Sequence, residues 1–297
     1  MNDVSGMADA REAGVANFRF DRVTLQNLAA QLRAQFEAGD PFPHIYIKDF
    51  LPEPIAKAIA QEFPHIGEIE WEFAGPGATK HTADPNVEKV QCSREEQLPP
   101  LISRVLQQFN SATFLDFVEA VTGFKALIPD PWYGGGGLHS TGNGGRLMIH
   151  ADADRHPNGK LHQILNLIYY ATPDWQEEWG GALELWNKDA TECVKVCPPN
   201  FNSLVIFFTG SNCYHGHPHP LKTPPGVRRN SLAVYYYTTH RQTGADYEGH
   251  SRFVTWMETN DHDGRLKLRT RFRRLAERTL PNWIFRKAVG VWIGLKR

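Results

Sequence analysis

The chain has 297 residues, 41% hydrophobic and 22% charged, with a formal net charge of -1. That length accommodates one large domain or two small ones, and the balanced charge does not single out a partner. The four cysteines form no CxxC pair and are too scattered for a disulfide framework, and no stretch approaches the ~20 apolar residues of a membrane span.

The charge is unevenly distributed. Residues 265–297 hold eleven Lys or Arg and one acidic residue, Glu277, which gives +10 and leaves -11 for the rest. The first fifteen residues or so are small and polar and read as a frayed terminus. No charged start followed by an apolar run marks a signal peptide, so a cytoplasmic location is expected.

Taken in chain order, residues 23–36 read as an amphipathic helix, because Leu25, Leu28, Leu32 and Phe36 recur at helical spacing. Residues 41–47 are extended. A second helix is predicted from Pro54, a residue suited to a first helical turn, to about Phe63. Residues 65–95 are irregular and rich in Gly, Pro and charge. One or two further helices follow over 98–121.

From Leu127 the pattern becomes one of short β segments: 146–151, 162–170, 181–186, 202–208, 212–215 and 231–237. Closely spaced turn residues between them argue for a sandwich or barrel. Helices first and strands later is an α+β order.

His150-Ala151-Asp152 is the first feature that carries chemistry. On a strand, residues i and i+2 share a face, so one imidazole and one carboxylate converge. A third ligand is available from His215, His217 or His219. Two His and one carboxylate on one face of an octahedron leave positions open, as non-haem Fe(II) oxygenation requires. Within 162–170, alternation puts Asn166, Ile168 and Tyr170 on one face.

The order of these motifs resembles the prolyl 4-hydroxylase-like branch of the Fe(II)/2-oxoglutarate-dependent dioxygenases. The resemblance is carried by His150-Ala-Asp152, the stretches 167–175 and 179–186, Tyr214-His-Gly216 and the stretch 229–237. Residues 41–51 also look like the segment that leads into the domain in bacterial members. It implies a double-stranded β-helix, or jelly roll, at about 126–240. N-terminal helices at about 20–125 would support it, the domain would run over 16–264, and a basic amphipathic tail would occupy 265–297.

The resemblance also implies roles. His150, Asp152 and His215 would bind Fe(II), with His215 preferred to His217 because the family pattern is His followed by Gly. Arg229 would grip the 5-carboxylate of the cosubstrate 2-oxoglutarate, a match to its planar guanidinium. Arg228 should face the other side of the strand. Tyr170 would donate to the same carboxylate, and Asn166 could touch the cosubstrate. The retained Asp152 argues for a hydroxylase and against a halogenase. With dioxygen, the expected reaction is hydroxylation of an unactivated C–H bond, with 2-oxoglutarate decarboxylated to succinate.

The favoured substrate is a small molecule, glycan or glycolipid. The alternatives are a prolyl-type protein hydroxylase, a non-catalytic jelly-roll binding module and a zinc hydrolase. Gly134–His139 could wall the site or form a tight turn, and Trp132, Tyr133, Trp175 and Trp186 could line a pocket. The tail, with Trp283 and Trp292 among basic residues, suggests peripheral contact at the inner membrane face. No nucleic-acid-binding motif is present.

Overall fold

The computed structural model describes residues 17–74, 84–156, 161–239 and 254–257. The tail at 265–297, and the membrane contact inferred from it, lie outside the described residues. No helix among the described residues is long and apolar enough to cross a membrane.

Among the described residues, four α-helices precede the main strands. Helix α1 (Arg22–Glu37) starts where the Asp21 carboxylate accepts the Thr24 N–H at 2.7 Å, and it buries Leu25, Ala29, Leu32 and Phe36. Helix α2 (Glu53–Glu62) has Pro54 in its first turn, as expected. The stretch 98–121 forms two helices, α3 (Pro100–Phe109) and α4 (Ala112–Thr122). They separate at Ser111, whose hydroxyl accepts the Phe114 N–H and caps α4.

The described strands form two antiparallel sheets. In chain order they are β1 (His44–Ile47), β2 (Glu72–Phe73), β3 (Val90–Cys92), β4 (Ile128–Pro129), β5 (Gly137–Thr141), β6 (Leu147–Ala151) and β7 (His162–Tyr170). Then come β8 (Leu183–Trp186), β9 (Cys193–Cys197), β10 (Leu204–Phe208), β11 (Tyr214–His217), β12 (Arg229–Thr238) and β13 (Thr255–Trp256). The larger sheet runs β1-β10-β7-β12-β5-β3-β2, with β4 also on β12; the smaller runs β13-β6-β11-β8-β9. This is the jelly roll with supporting helices.

Three elements differ from expectation. The irregular stretch 65–95 contains β2 and β3, which are too short to show a period and are defined by pairing with a neighbour: Gln91 lies opposite His139. The Gly134–His139 run is neither lid nor surface turn at its end, because Gly137 opens the buried strand β5. Gly137 has φ +76°, and a Cβ there would stand 2.2 Å from the Cys92 carbonyl oxygen, so only glycine lets β5 approach β3. Strand β9, unmarked in the sequence, pairs along β8.

Alternation divides the larger sheet into two faces. Tyr169, Leu232, Val234 and Tyr236 face outward into a core shared with Phe109, Phe114 and Phe117 of the helices. The Tyr236 hydroxyl donates to the Phe109 carbonyl at 2.8 Å, which ties α3 to β12. Each fully buried Phe contributes about 1.5–3 kcal/mol of transfer free energy. The smaller sheet has its own outer cluster of Ile149, Ala151, Trp186, Ala190, Tyr214 and Met257. The remaining faces of the two sheets line the interior of the jelly roll.

Candidate metal and cosubstrate site

Strands β6 and β11 are adjacent in the smaller sheet, with His150 and His215 directly opposite in register. Their ring centroids are 4.4 Å apart. Asp152 follows β6 by one residue, and its Oδ1 lies 3.4 Å from His150 Nε2 and 3.7 Å from His215 Nε2. Among the described residues these three form the one cluster of metal-ligand type, with all three donor atoms within 4.8 Å of one another.

The ring orientations are fixed from behind. His150 Nδ1 lies 2.9 Å from the Met148 carbonyl and His215 Nδ1 lies 3.0 Å from the Cys213 carbonyl. A proton on each Nδ1 therefore leaves the Nε2 lone pair facing the common point, the tautomer a metal ligand needs. Burial pushes the His215 pKa down to about 4, so that imidazole is neutral at pH 7. Burial would raise the Asp152 pKa, but the His215 and His150 rings and the Asn166 amide outweigh it and hold the carboxyl below the usual carboxylate range. A neutral imidazole and an ionised carboxylate are the deprotonated forms that bind metal. The donor set therefore fits a divalent ion of the Fe(II) type.

The Asp152 carboxylate is steadied on its other oxygen. Oδ2 accepts from Gln163 Nε2 at 3.1 Å and from Asn166 Nδ2 at 3.2 Å. The sequence did not single out Gln163, and it marked Asn166 only for contact with a cosubstrate. Asn166 lies four residues along β7 from Tyr170, roughly 13 Å away at strand rise, at the metal end of the interior.

Gly216 supplies a physical reason for the His-Gly pattern. A Cβ at Gly216 would stand 2.8 Å from both the Leu147 and the Met148 carbonyl oxygens of β6. Glycine lets β11 lie close enough to β6 for His215 to meet His150. Gly216→Ala is expected to separate the strands and weaken divalent-metal binding roughly 10–100-fold, the range for residues that orient ligands. Zn(II) titration by calorimetry would measure it, and an unchanged affinity would refute this role.

The other candidate histidines go elsewhere. The register shifts between His215 and His217. His217 stays out of the donor cluster, and both of its ring nitrogens are buried without a hydrogen-bond partner. His219 is on the surface, 3.5 Å from a Glu184 carboxylate oxygen.

Arg229 opens β12 on the interior face of the larger sheet, only 5% exposed. Its Nε donates to the Gly181 carbonyl at 2.6 Å and one terminal nitrogen donates to the Tyr170 hydroxyl at 3.2 Å. Among the described residues no carboxylate forms an ion pair with it. Burial raises the Tyr170 pKa to about 12, so its hydroxyl keeps a proton to donate. A buried cation beside a phenol suits an incoming carboxylate. Arg228 faces outward, as expected, and binds Ser140 Oγ and the carbonyls of Asn86 and Pro85.

The comparisons with known proteins match this geometry. Residues 136–237 match the family model of the 2OG-Fe(II) oxygenase superfamily, and that span contains the donor cluster, Tyr170 and Arg229. The matched segment, residues 136–237, is a 2OG-Fe(II) oxygenase domain. Its cofactor is accordingly Fe(II), with 2-oxoglutarate as cosubstrate.

Among solved structures, the fold resembles a prolyl hydroxylase from Trichoplax adhaerens in complex with a hypoxia inducible factor oxygen degradation domain peptide. That match has a TM-score of 0.51 at 14% identity and covers 75% of this chain and 94% of that one. A Pseudomonas putida prolyl-4-hydroxylase matches with a TM-score of 0.49 at 18% identity, over 71% of this chain and 100% of that one. HygX from Streptomyces hygroscopicus, with nickel, 2-oxoglutarate and hygromycin B bound, matches with a TM-score of 0.46 at 14% identity, over 75% and 96%. No curated protein matches.

The aromatic residues proposed to line the oxygenase's pocket are dispersed. Trp186 lies in the outer cluster of the smaller sheet, Tyr133 in the main core, and Trp132 is 69% exposed. Trp175 donates from its indole nitrogen to the Gly180 carbonyl. His139, in contrast, lies on the interior face opposite Ser231.

Proposed function

We propose that this oxygenase hydroxylates a C–H bond of a small-molecule, glycan or glycolipid-type substrate while converting 2-oxoglutarate to succinate. In this reading His150, Asp152 and His215 hold Fe(II), and Arg229 with Tyr170 holds the 5-carboxylate of 2-oxoglutarate. Asn166 and Gln163 keep Asp152 aimed at the metal.

One observation carries the proposal. Three donors of the right type lie on the inner face of one sheet, and a buried guanidinium that lacks a carboxylate partner among the described residues lies on the inner face of the other. When bound, the iron supplies dioxygen activation, which no side chain can provide. The chain's own part is orientation. The carbonyls of Met148 and Cys213 set the imidazole tautomers, and Gly181 and Tyr170 hold the guanidinium in one pose. The buried interior keeps water from the reacting groups.

Other readings have less support. A non-catalytic module would not need an intact donor set, and a zinc hydrolase leaves the Arg229–Tyr170 pair unexplained. The protein-hydroxylase alternative rests on likeness of fold, which does not carry function. We also propose that the basic tail, residues 265–297, makes peripheral contact with the inner membrane face.

The test is succinate release from 2-oxoglutarate, followed by NMR with purified protein. It is expected to require Fe(II), to stop on addition of EDTA, and to rise with members of a panel of small molecules and glycans. Failure both to bind 2-oxoglutarate and to release succinate would overturn the proposal. Stimulation by proline-containing peptides alone would replace it with the protein-hydroxylase reading.

A further inference from the structure

Lys89 has no part in the chemistry described so far, yet its side chain is buried inside the oxygenase domain. It immediately precedes β3, and its carbonyl accepts the Ala74 N–H, so strand geometry extends to it. Val90 and Cys92 belong to the outer core, which puts Lys89 and Gln91 on the interior face. Gln91 lies opposite His139, and His139 opposite Ser231, which in turn lies opposite Tyr170. Val90 lies opposite Ser140, and Thr141 opposite Arg229; one further step of the same register sets Lys89 beside Thr141. Lys89 and Arg229 thus stand in one row, two strand spacings or about 10 Å apart at the backbone.

The surroundings of Lys89 are those of the active site. Its ammonium is within electrostatic range of Arg229 and Asp152, and also of His139, His215 and His217. No hydrogen bond or ion pair to a described residue satisfies it. Burial, followed by Arg229 and opposed by Asp152, pushes its pKa down to about 8, which leaves it mainly protonated at pH 7. His217 has two unpartnered ring nitrogens and Ser231 an unpartnered hydroxyl on the same lining.

Charge balance then points to a ligand. Arg229 and Lys89 are buried cations on this lining, and Asp152 is the buried anion that faces them. A divalent ion and the dianion 2-oxoglutarate cancel one another. Among the described residues one buried positive charge remains, and an uncompensated buried charge is costly.

We propose that Lys89, with His217 and His139 beside it, forms a second anion subsite that binds a carboxylate or phosphate group of the substrate. This deepens the proposed function and rests on it for the assignment of Arg229 to 2-oxoglutarate. The substrate class becomes an anionic small molecule or glycan derivative, held by its charge on one wall while the metal faces it from the other.

The test uses full-length protein loaded with Zn(II), which is redox-inert, and 2-oxoglutarate. Calorimetric titrations compare N-acetyl amino acids with their amides, and sugar phosphates with the free sugars. The wild-type protein should bind at least one anion ten times more tightly than its uncharged twin, and whether that anion is a carboxylate or a phosphate identifies the source. Lys89→Met should bring the pair within threefold and leave the 2-oxoglutarate Kd within threefold of wild type, whereas Lys89→Arg should keep the preference.

Lys89→Met should also raise the melting temperature of the unloaded protein, because it removes a buried charge without leaving a cavity; a structural lysine would give the opposite shift. A lower melting temperature, equal binding of both twins by the wild type, or no binding of any probe would overturn the proposal. So would a preference that survives Lys89→Met. A tenfold loss of 2-oxoglutarate affinity in Lys89→Met would assign Lys89 to the cosubstrate and also overturn it. If wild-type protein takes up no 2-oxoglutarate, the proposed function fails separately, and the twin comparison without cosubstrate still reads Lys89.

Discussion

His215→Ala should abolish Fe(II)-dependent succinate release, with a fall of roughly 1,000-fold or more, because losing a direct ligand exceeds the ~10–100-fold cost of losing a supporting group. The matched control is His217→Ala. His217 is two residues along the same strand and equally buried, but it stays out of the donor cluster. Its replacement should leave stoichiometric metal binding intact. Metal content after Fe(II) reconstitution, read beside succinate release, separates the two. Loss of iron from His217→Ala with retention in His215→Ala would reverse the assignment. Both variants should be checked for native circular dichroism, since each histidine sits between packed strands.

The second large effect concerns the cosubstrate. Arg229→Met should weaken 2-oxoglutarate binding by roughly 100–10,000-fold, since two hydrogen bonds to a charged group are each worth about 1.5–3 kcal/mol. Metal affinity should change little, because Arg229 touches Gly181 and Tyr170 and none of the three donors. Arg229→Lys should recover only part of the loss: a point charge remains, but the paired N–H fork is gone. Calorimetry of the Zn(II) form with 2-oxoglutarate would measure the series. An Arg229→Met protein that binds 2-oxoglutarate like wild type would remove Arg229 from the site.

Part of this arrangement was legible in the sequence because it follows strand periodicity. His150 and Asp152 are two residues apart, and Asn166 and Tyr170 four apart, so their shared faces could be read directly. His215 was selected through the glycine that follows it, and the Leu147 and Met148 carbonyls show why that glycine matters. What could not be read depends on contacts between strands distant in sequence. Gln163 reaches Asp152 only because β7 passes the end of β6. Lys89 lay in a stretch that read as irregular, and without a strand there was no face to assign to it. The aromatic residues misled for the opposite reason: their types suit a pocket, but packing sent Trp186 and Tyr133 into cores.

Strands β1, β2 and β3 all come from the N-terminal half of the chain, yet they form both borders of the sheet that carries Tyr170 and Arg229. The segment 136–237 taken alone would therefore present bare edges at β10 and β5, whose unpaired backbone groups invite pairing with other chains. The helices and the jelly roll are thus one folding problem. Residues at the start of the chain act as a selvedge for the oxygenase sheet, and recombining this domain with a foreign N-terminal half would remove those border strands and Lys89 with them.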